Sequence, residues 1–160
     1  MQADGTHDHV VNAIAATRFP FPGQTTWPAD YVTLTNVPVR RRSIPVDGSE
    51  HFPDIVIHDG TGRIRETGEV EMTLDPARVA LWQAASRTAD DDTSAKVRHF
   101  FFYVPAGLEE QAKALLEANS ISYAGVRGFT VDPSSKLVKI VPYVTPGDEY
   151  DHQVTDPQAA

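Results

Sequence analysis

The segment HFFFYVP, residues 99–105, constrains this chain more than any other. Four consecutive aromatic residues cannot line a wet surface, and a short apolar run ended by proline reads as a strand covered on both faces. Directly after it, GLEEQAKALLEANS sets Leu108, Ala112, Leu115 and Leu116 at helical spacing on one side. Glu109 and Lys113 are spaced for an i,i+4 pair on the other side. SYAGVRGFTV then reads as a strand, with KLVKIVPYV as its partner. Strand, helix and strand in succession imply a parallel pair inside a mixed sheet. The aromatic run is therefore expected to be a central strand rather than a base-stacking platform.

Upstream segments fit the same plan. HVVNAIAATRF reads as a short helix, FPFPGQTTWPAD as a proline-broken loop, and YVTLTNVPVRR as a strand interrupted by Pro38. Ile55, Val56 and Ile57 form a buried-type strand, Asp59-Gly60-Thr61-Gly62 has turn chemistry, and Arg63 to Met72 returns as a second strand. Asp75-Pro76 starts a helix that runs to about Arg87, with an acid at the cap and proline at the first helical position. RTADDDTSAK is a polar loop. The expectation is α/β: a mixed central β-sheet flanked by helices, forming a single domain over residues 10–144. Residues 1–9 are expected to be a flexible N-terminus and 145–160 a disordered tail.

Composition narrows function. The chain has no cysteine, which removes disulfides and thiolate zinc sites and fits a reducing compartment. No apolar run reaches the length of a membrane-spanning helix. The first residues, MQADGTHDHV, lack the basic-then-apolar order of a signal peptide. A soluble cytoplasmic protein with no membrane contact is expected. A net charge of −8 argues against a tight, metal-free hold on nucleic acid, and leaves room for an acidic site that approaches phosphate through a metal ion. No G-x-S-x-G, Walker loop, G-x-G-x-x-G or H-E-x-x-H occurs, so serine hydrolase, nucleotide-loop and zinc protease readings have no support.

The chemistry concentrates in PDIVIHDGTGRIRETGEVE, residues 53–71. Alternation puts Glu69 and Glu71 on one face and Val70 on the other. A turn centred near Gly60-Thr61 sets Asp54 across from Thr67 or Gly68, beside Glu69. Gly68 leaves clearance there. Converging carboxylates repel unless a cation sits among them. A hard divalent ion such as Mg²⁺ would relieve this, its oxygen ligands drawn from these carboxylates with the Val70 carbonyl as a further candidate. The plain alternative is a hairpin edge decorated with charge against aggregation.

Other candidates carry plain alternatives too. Arg63 and Arg65 share a strand face with Glu69 by alternation and could hold phosphates together with Arg40-Arg41-Arg42, or merely balance nearby acids. Arg127 could enter the cleft and pair with a carboxylate or phosphate. Asp90-Asp91-Asp92 and His7-Asp8-His9 could bind metal, and His51, three residues before Asp54, could touch substrate; the plainer readings are a solvated loop, a flexible or helix-leading terminus and a strand-entry residue.

These residues carry a resemblance. Pro53-Asp54 followed by Glu69-Val70-Glu71 at the end of the next strand, then helix, strand, helix and strand, resembles the PD-(D/E)xK, or restriction-endonuclease-like, nuclease superfamily over roughly residues 10–130. It is similar to small bacterial members with an ExE form of the motif. The resemblance implies Mg²⁺- or Mn²⁺-dependent phosphodiester hydrolysis on nucleic acid, DNA ahead of RNA, with homodimer formation common. It implies a catalytic set of Asp54, Glu69 and Glu71. Lysine usually stands where Glu71 does, orienting the attacking water; Glu71 would be a further ligand or the water-orienting base. The alternative from another class is a catalytically inactive nuclease fold kept as a binding or assembly module.

Overall fold

The computed structural model describes residues 5–18, 30–92 and 97–144. The expected proline-broken loop at 19–29, the tail at 145–160 and the first four residues lie outside them. The described chain is α/β, with one six-stranded mixed sheet between helices.

In chain order the elements are α1 (Thr6–Arg18), β1 (Val32–Thr35), β2 (Ile44–Val46), β3 (Ser49–His51), β4 (Ile55–His58) and β5 (Ile64–Val70). A 3₁₀ turn (Pro76–Arg78) leads into α2 (Val79–Thr88). Then come β6 (Asp91–Asp92), β7 (Val97–Arg98), β8 (Phe100–Pro105), α3 (Glu109–Ala118), β9 (Gly125–Val131) and β10 (Val138–Val144). The sheet order is β1-β4-β5-β8-β9-β10. The centre, β5-β8-β9, is parallel, and the flanking pairs are antiparallel.

The aromatic strand lies at that centre, where both faces are covered. Phe100, Phe102 and Val104 pack toward α2 and α3 with Trp82, Ala112 and Leu116. Phe101 and Tyr103 pack on the opposite face with Val10, Val11 and Ile14 of α1. Alternation along one strand thus feeds two separate apolar layers.

Four local expectations change. Helix α1 begins at Thr6, so residues 6–9 are helical rather than a flexible lead. Asp75 caps as expected, accepting from the Ala77 N–H, but it caps a 3₁₀ turn that precedes α2. Lys113 pairs with Glu117 at 3.2 Å, while Glu109 turns back to accept the Gly107 N–H. The polar stretch after α2 includes the short β6-β7 pair, and Asp90 holds Arg65 at 3.0 Å. The β2-β3 hairpin adds an element that the strand reading of residues 31–41 did not reach. Its turn is Asp47-Gly48, both in the left-handed region that a two-residue hairpin requires.

Among the described residues no helix is long and apolar enough to cross a membrane.

Candidate active site

The turn between β4 and β5 sets the register of the acids. Asp59 accepts from the N–H groups of Thr61 and Arg63 and from the Thr61 hydroxyl, and Gly62 takes the positive φ of 89° that closes the loop. These bonds hold the Asp59 carboxyl well below the usual range, the Thr61 hydroxyl contributing most. Ile55 pairs with Gly68, so Asp54 falls level with Glu69, one residue further along than the sequence arithmetic places it.

Where the β4-β5 ladder stops, the Asp54 side chain continues it. Its Oδ2 accepts the Val70 N–H at 2.8 Å. The same oxygen lies 3.2 Å from His7 Nε2, which is itself 3.0 Å from the Val70 carbonyl oxygen. His7 comes from the first turn of α1 and is raised to about 9, chiefly by its hydrogen bond to Asp54, so at neutral pH it is an imidazolium donating between these two oxygens. The group sits at the carboxyl end of β5, the end of parallel strands where ligands collect in open α/β sheets.

Glu69 projects toward the α2 side and is wholly buried. Its Oε2 is 2.6 Å from His51 Nε2, and its Oε1 has no hydrogen-bond partner among the described residues. Burial, then the Asp54 and Glu71 charges, push its carboxyl well above the usual range. Burial, and next the Arg78 charge, lower His51 to about 4. Both shifts favour the uncharged forms of the pair, in which the Glu69 O–H donates to a neutral His51 imidazole.

Glu71 is gripped by two donors from the next element: Arg78 Nε and Trp82 Nε1, each 2.8 Å from Oε2. Arg78 and Trp82 stand four apart, so both come from one side of the turn-helix unit. Burial pushes the Glu71 carboxyl up, and the Trp82 hydrogen bond opposes it.

The three acids thus gather at one end of β5, each with its own protein partner. Among the described residues no three His, Asp or Glu side chains are grouped closely enough to enclose an ion by themselves. What does meet is two side chains and a carbonyl. Ligands at right angles on an ion with bonds of about 2.1 Å stand about 3.0 Å apart. The 3.0 and 3.2 Å separations among His7 Nε2, the Val70 oxygen and Asp54 Oδ2 have that spacing. Glu69 adds a buried oxygen that none of the described residues satisfies, an arrangement native structures rarely leave unexplained. The oxygens of Asp54, Val70 and Glu69 are donors of the kind a divalent cation takes, and its entry would require Glu69 to give up its proton and His7 either to give up its own or to withdraw.

The expected substrate-binding arginines lie elsewhere. A bulge at Arg65 breaks the alternation that would have aligned it with Glu69, since Ile57 pairs with Glu66 but His58 with Ile64. Arg65 instead bridges Asp59 and Asp90, and Arg63 reaches Asp90, all at the turn end of the hairpin. Arg127 is buried on the α1 face, level with Tyr103, its guanidinium 4.6 Å from the centre of the Phe101 ring. Glu69 is on the other face, so the sheet separates them.

Gly68 also points to the α1 face. A methyl group there would meet Ile55 and Tyr103 at 3.5–3.6 Å, ordinary contact, so this glycine is not clearance for the acids. Gly68→Ala should change stability by less than about 1 kcal/mol, measured by urea denaturation. A larger loss would show that the backbone at this point needs glycine.

The sequence offered His7 for metal binding and His51 for substrate contact, each behind a plainer reading, and did not offer Arg78 or Trp82. The only local signal for that pair was their four-residue spacing behind the Asp75-Pro76 start.

With this geometry in hand, the chain was compared with known proteins. It matches no protein-family model, and no curated protein or solved structure matches it.

Proposed function

We propose that this protein is a metal-dependent nuclease of restriction-endonuclease-like architecture that hydrolyses phosphodiester bonds in DNA or RNA, DNA ahead of RNA. The observation that carries the reading is the meeting of Asp54 Oδ2 and the Val70 carbonyl at the carboxyl end of β5, beside a buried Glu69 oxygen without a partner. Asp54, Glu69 and the Val70 carbonyl would hold Mg²⁺ or Mn²⁺, and His7 stands close enough to join them. A bound ion supplies charge neutralisation at the scissile phosphate and a more acidic water.

The protein's own contribution is positional. The Val70 N–H fixes the Asp54 carboxylate. His51 orients Glu69 and, at about 4, stays neutral and able to accept a proton through most of the physiological range. Glu71 takes the place where lysine is usual in the family, and its hydrogen bonds recruit a cation from outside the motif, Arg78.

The experiment is a thermal melt with and without Mn²⁺, coupled to cleavage of mixed DNA and RNA substrates. An ion at one hundred times its dissociation constant stabilises the fold by about 2.7 kcal/mol. For a chain of this size that is an upward shift of roughly 5–10 °C. Both the shift and the cleavage should be lost in Asp54→Ala. Wild type that neither shifts nor cuts, or Asp54→Ala that behaves like wild type, sinks the reading.

A second reading has one observation in its favour. His7 already lies between Asp54 and the Val70 oxygen as a cation, and every acid has a protein partner. A fold completed this way would serve as a non-catalytic binding or assembly module. It would melt identically with and without Mn²⁺.

A further inference from the structure

Beside the acids lies a cleft of about 270 Å³, walled in part by Asn36, Arg40, His51, Phe52, Asp54 and Arg78. Its shape is fixed from behind by Asn36, a buried amide with every hydrogen-bonding position in use. Asn36 Oδ1 accepts the N–H groups of Arg41 and Arg42, and Nδ2 donates to the carbonyls of Arg42 and Pro53. The Asn36 N–H also donates to the Asp54 carbonyl. One side chain therefore ties the Arg40–Arg42 loop to the strand entry that carries Asp54.

Two guanidinium groups line this cleft, and each is held by something other than its fork. Arg78 is anchored through Nε by Glu71, and its terminal nitrogens have no hydrogen-bond partner among the described residues. Arg40 rests over the Phe52 ring, 5.1 Å from its centre, with its donors likewise uncommitted among the described residues. Of the acids in the same walls, Asp54 meets the Val70 N–H and His7 through Oδ2, and Glu50 accepts the Ser43 hydroxyl through Oε2. What the cleft offers a ligand is therefore a pair of planar, charged donor forks, the chemistry that matches phosphate oxygens. In a chain of net charge −8 a polyanion needs such a local cationic pair to be held at all.

We propose that this cleft is a phosphate subsite in which Arg78 and Arg40 grip a phosphodiester of the bound strand next to the acids. The anion chemistry follows from the cleft alone; its assignment to a phosphodiester rests on the nuclease reading. Glu71 then acts as a positioning residue, setting the Arg78 fork rather than touching the substrate.

The test measures binding in EDTA, so that it does not depend on a metal ion. The probes are a fluorescent single-stranded thymidine oligonucleotide, followed by anisotropy, and inorganic pyrophosphate, followed by calorimetry. Wild type should bind both. Arg78→Ala and Arg40→Ala should each weaken both about tenfold, the loss of a charged hydrogen-bonding partner. Each should lower the salt dependence of oligonucleotide binding by about one unit of slope. Lys139→Ala, an exposed charge removed on the far edge strand, should change neither. Arg40 is exposed, so its removal leaves the fold intact, and Arg78→Lys should restore only part of the affinity because lysine lacks the fork.

If wild type binds neither probe, or the arginine variants bind as wild type does, the subsite is overturned. If the oligonucleotide is cut with Mn²⁺ while Arg78→Ala and Arg40→Ala bind it normally, the nuclease reading stands and the subsite falls. If pyrophosphate binding depends on both arginines and the oligonucleotide does not bind, the phosphodiester assignment falls, and the nuclease reading is decided separately by Mn²⁺-dependent cleavage.

Discussion

Trp82→Ala should lower the free energy of unfolding by about 3–5 kcal/mol, the usual loss for a buried tryptophan cut to a methyl group. Trp82 has no exposed surface and packs edge-on against Phe102, with ring centres 4.9 Å apart. Its removal opens a void between α2 and the central strand. Its indole N–H also leaves Glu71, whose buried oxygen then relies on Arg78 alone. A drop of roughly 10–15 °C in melting temperature is expected. Trp82→Phe separates the two contributions. It retains most of the packing and loses only the hydrogen bond, so it should cost about 1–3 kcal/mol. Equal losses in the two variants would mean that the Glu71 bond, not the packing, dominates.

Glu69→Gln should do the opposite: stabilise the metal-free protein while removing its response to Mn²⁺. A wholly buried carboxyl with an unsatisfied oxygen beside two other acids works against folding. Glutamine keeps the shape and can still donate to His51, and it carries no charge to desolvate. The direction with pH follows from the raised carboxyl. The unfolded side chain ionises near pH 4.3, the folded one well above that. Between these limits the folded state holds an extra proton, so the wild type loses stability as pH rises. The advantage of glutamine should be absent near pH 3.5 and reach about 1–3 kcal/mol by pH 7, read from urea midpoints across that range. If Glu69→Gln is destabilising at every pH, Glu69 is a structural partner of His51 and its unpaired oxygen marks no function.

The elements were largely legible because each had a local signature. Phe100 to Pro105 could only be a doubly covered strand, and the apolar spacing of Leu108, Ala112 and Leu116 allowed one helix face. The gathering of Asp54, Glu69 and Glu71 followed from alternation and a tight turn, with a register displaced by one residue. Arg65 misled because a bulge leaves no trace in hydrophobic pattern, and one extra residue reverses every face beyond it. The partners of the acids were illegible for another reason. His7 meets Val70 across 63 positions, and His51 meets Glu69 across 18. Such contacts are made by the packing of α1 and of the β2-β3 hairpin against the sheet, which periodicity does not encode.

The reach of His7 also bears on when the site comes into being during folding. Strands β4 and β5 are joined by a short turn and can pair early, since closing a small loop carries little entropy. The contact between His7 and Asp54 spans 47 positions and needs α1 docked on a completed sheet. Contacts of that range form late and set the pace of folding. A chain caught with its hairpin formed and α1 undocked would hold Asp54, Glu69 and Glu71 together with no cation from His7 among them. Competence at this site is therefore acquired in the last step of assembly, together with the closing of the α1 layer.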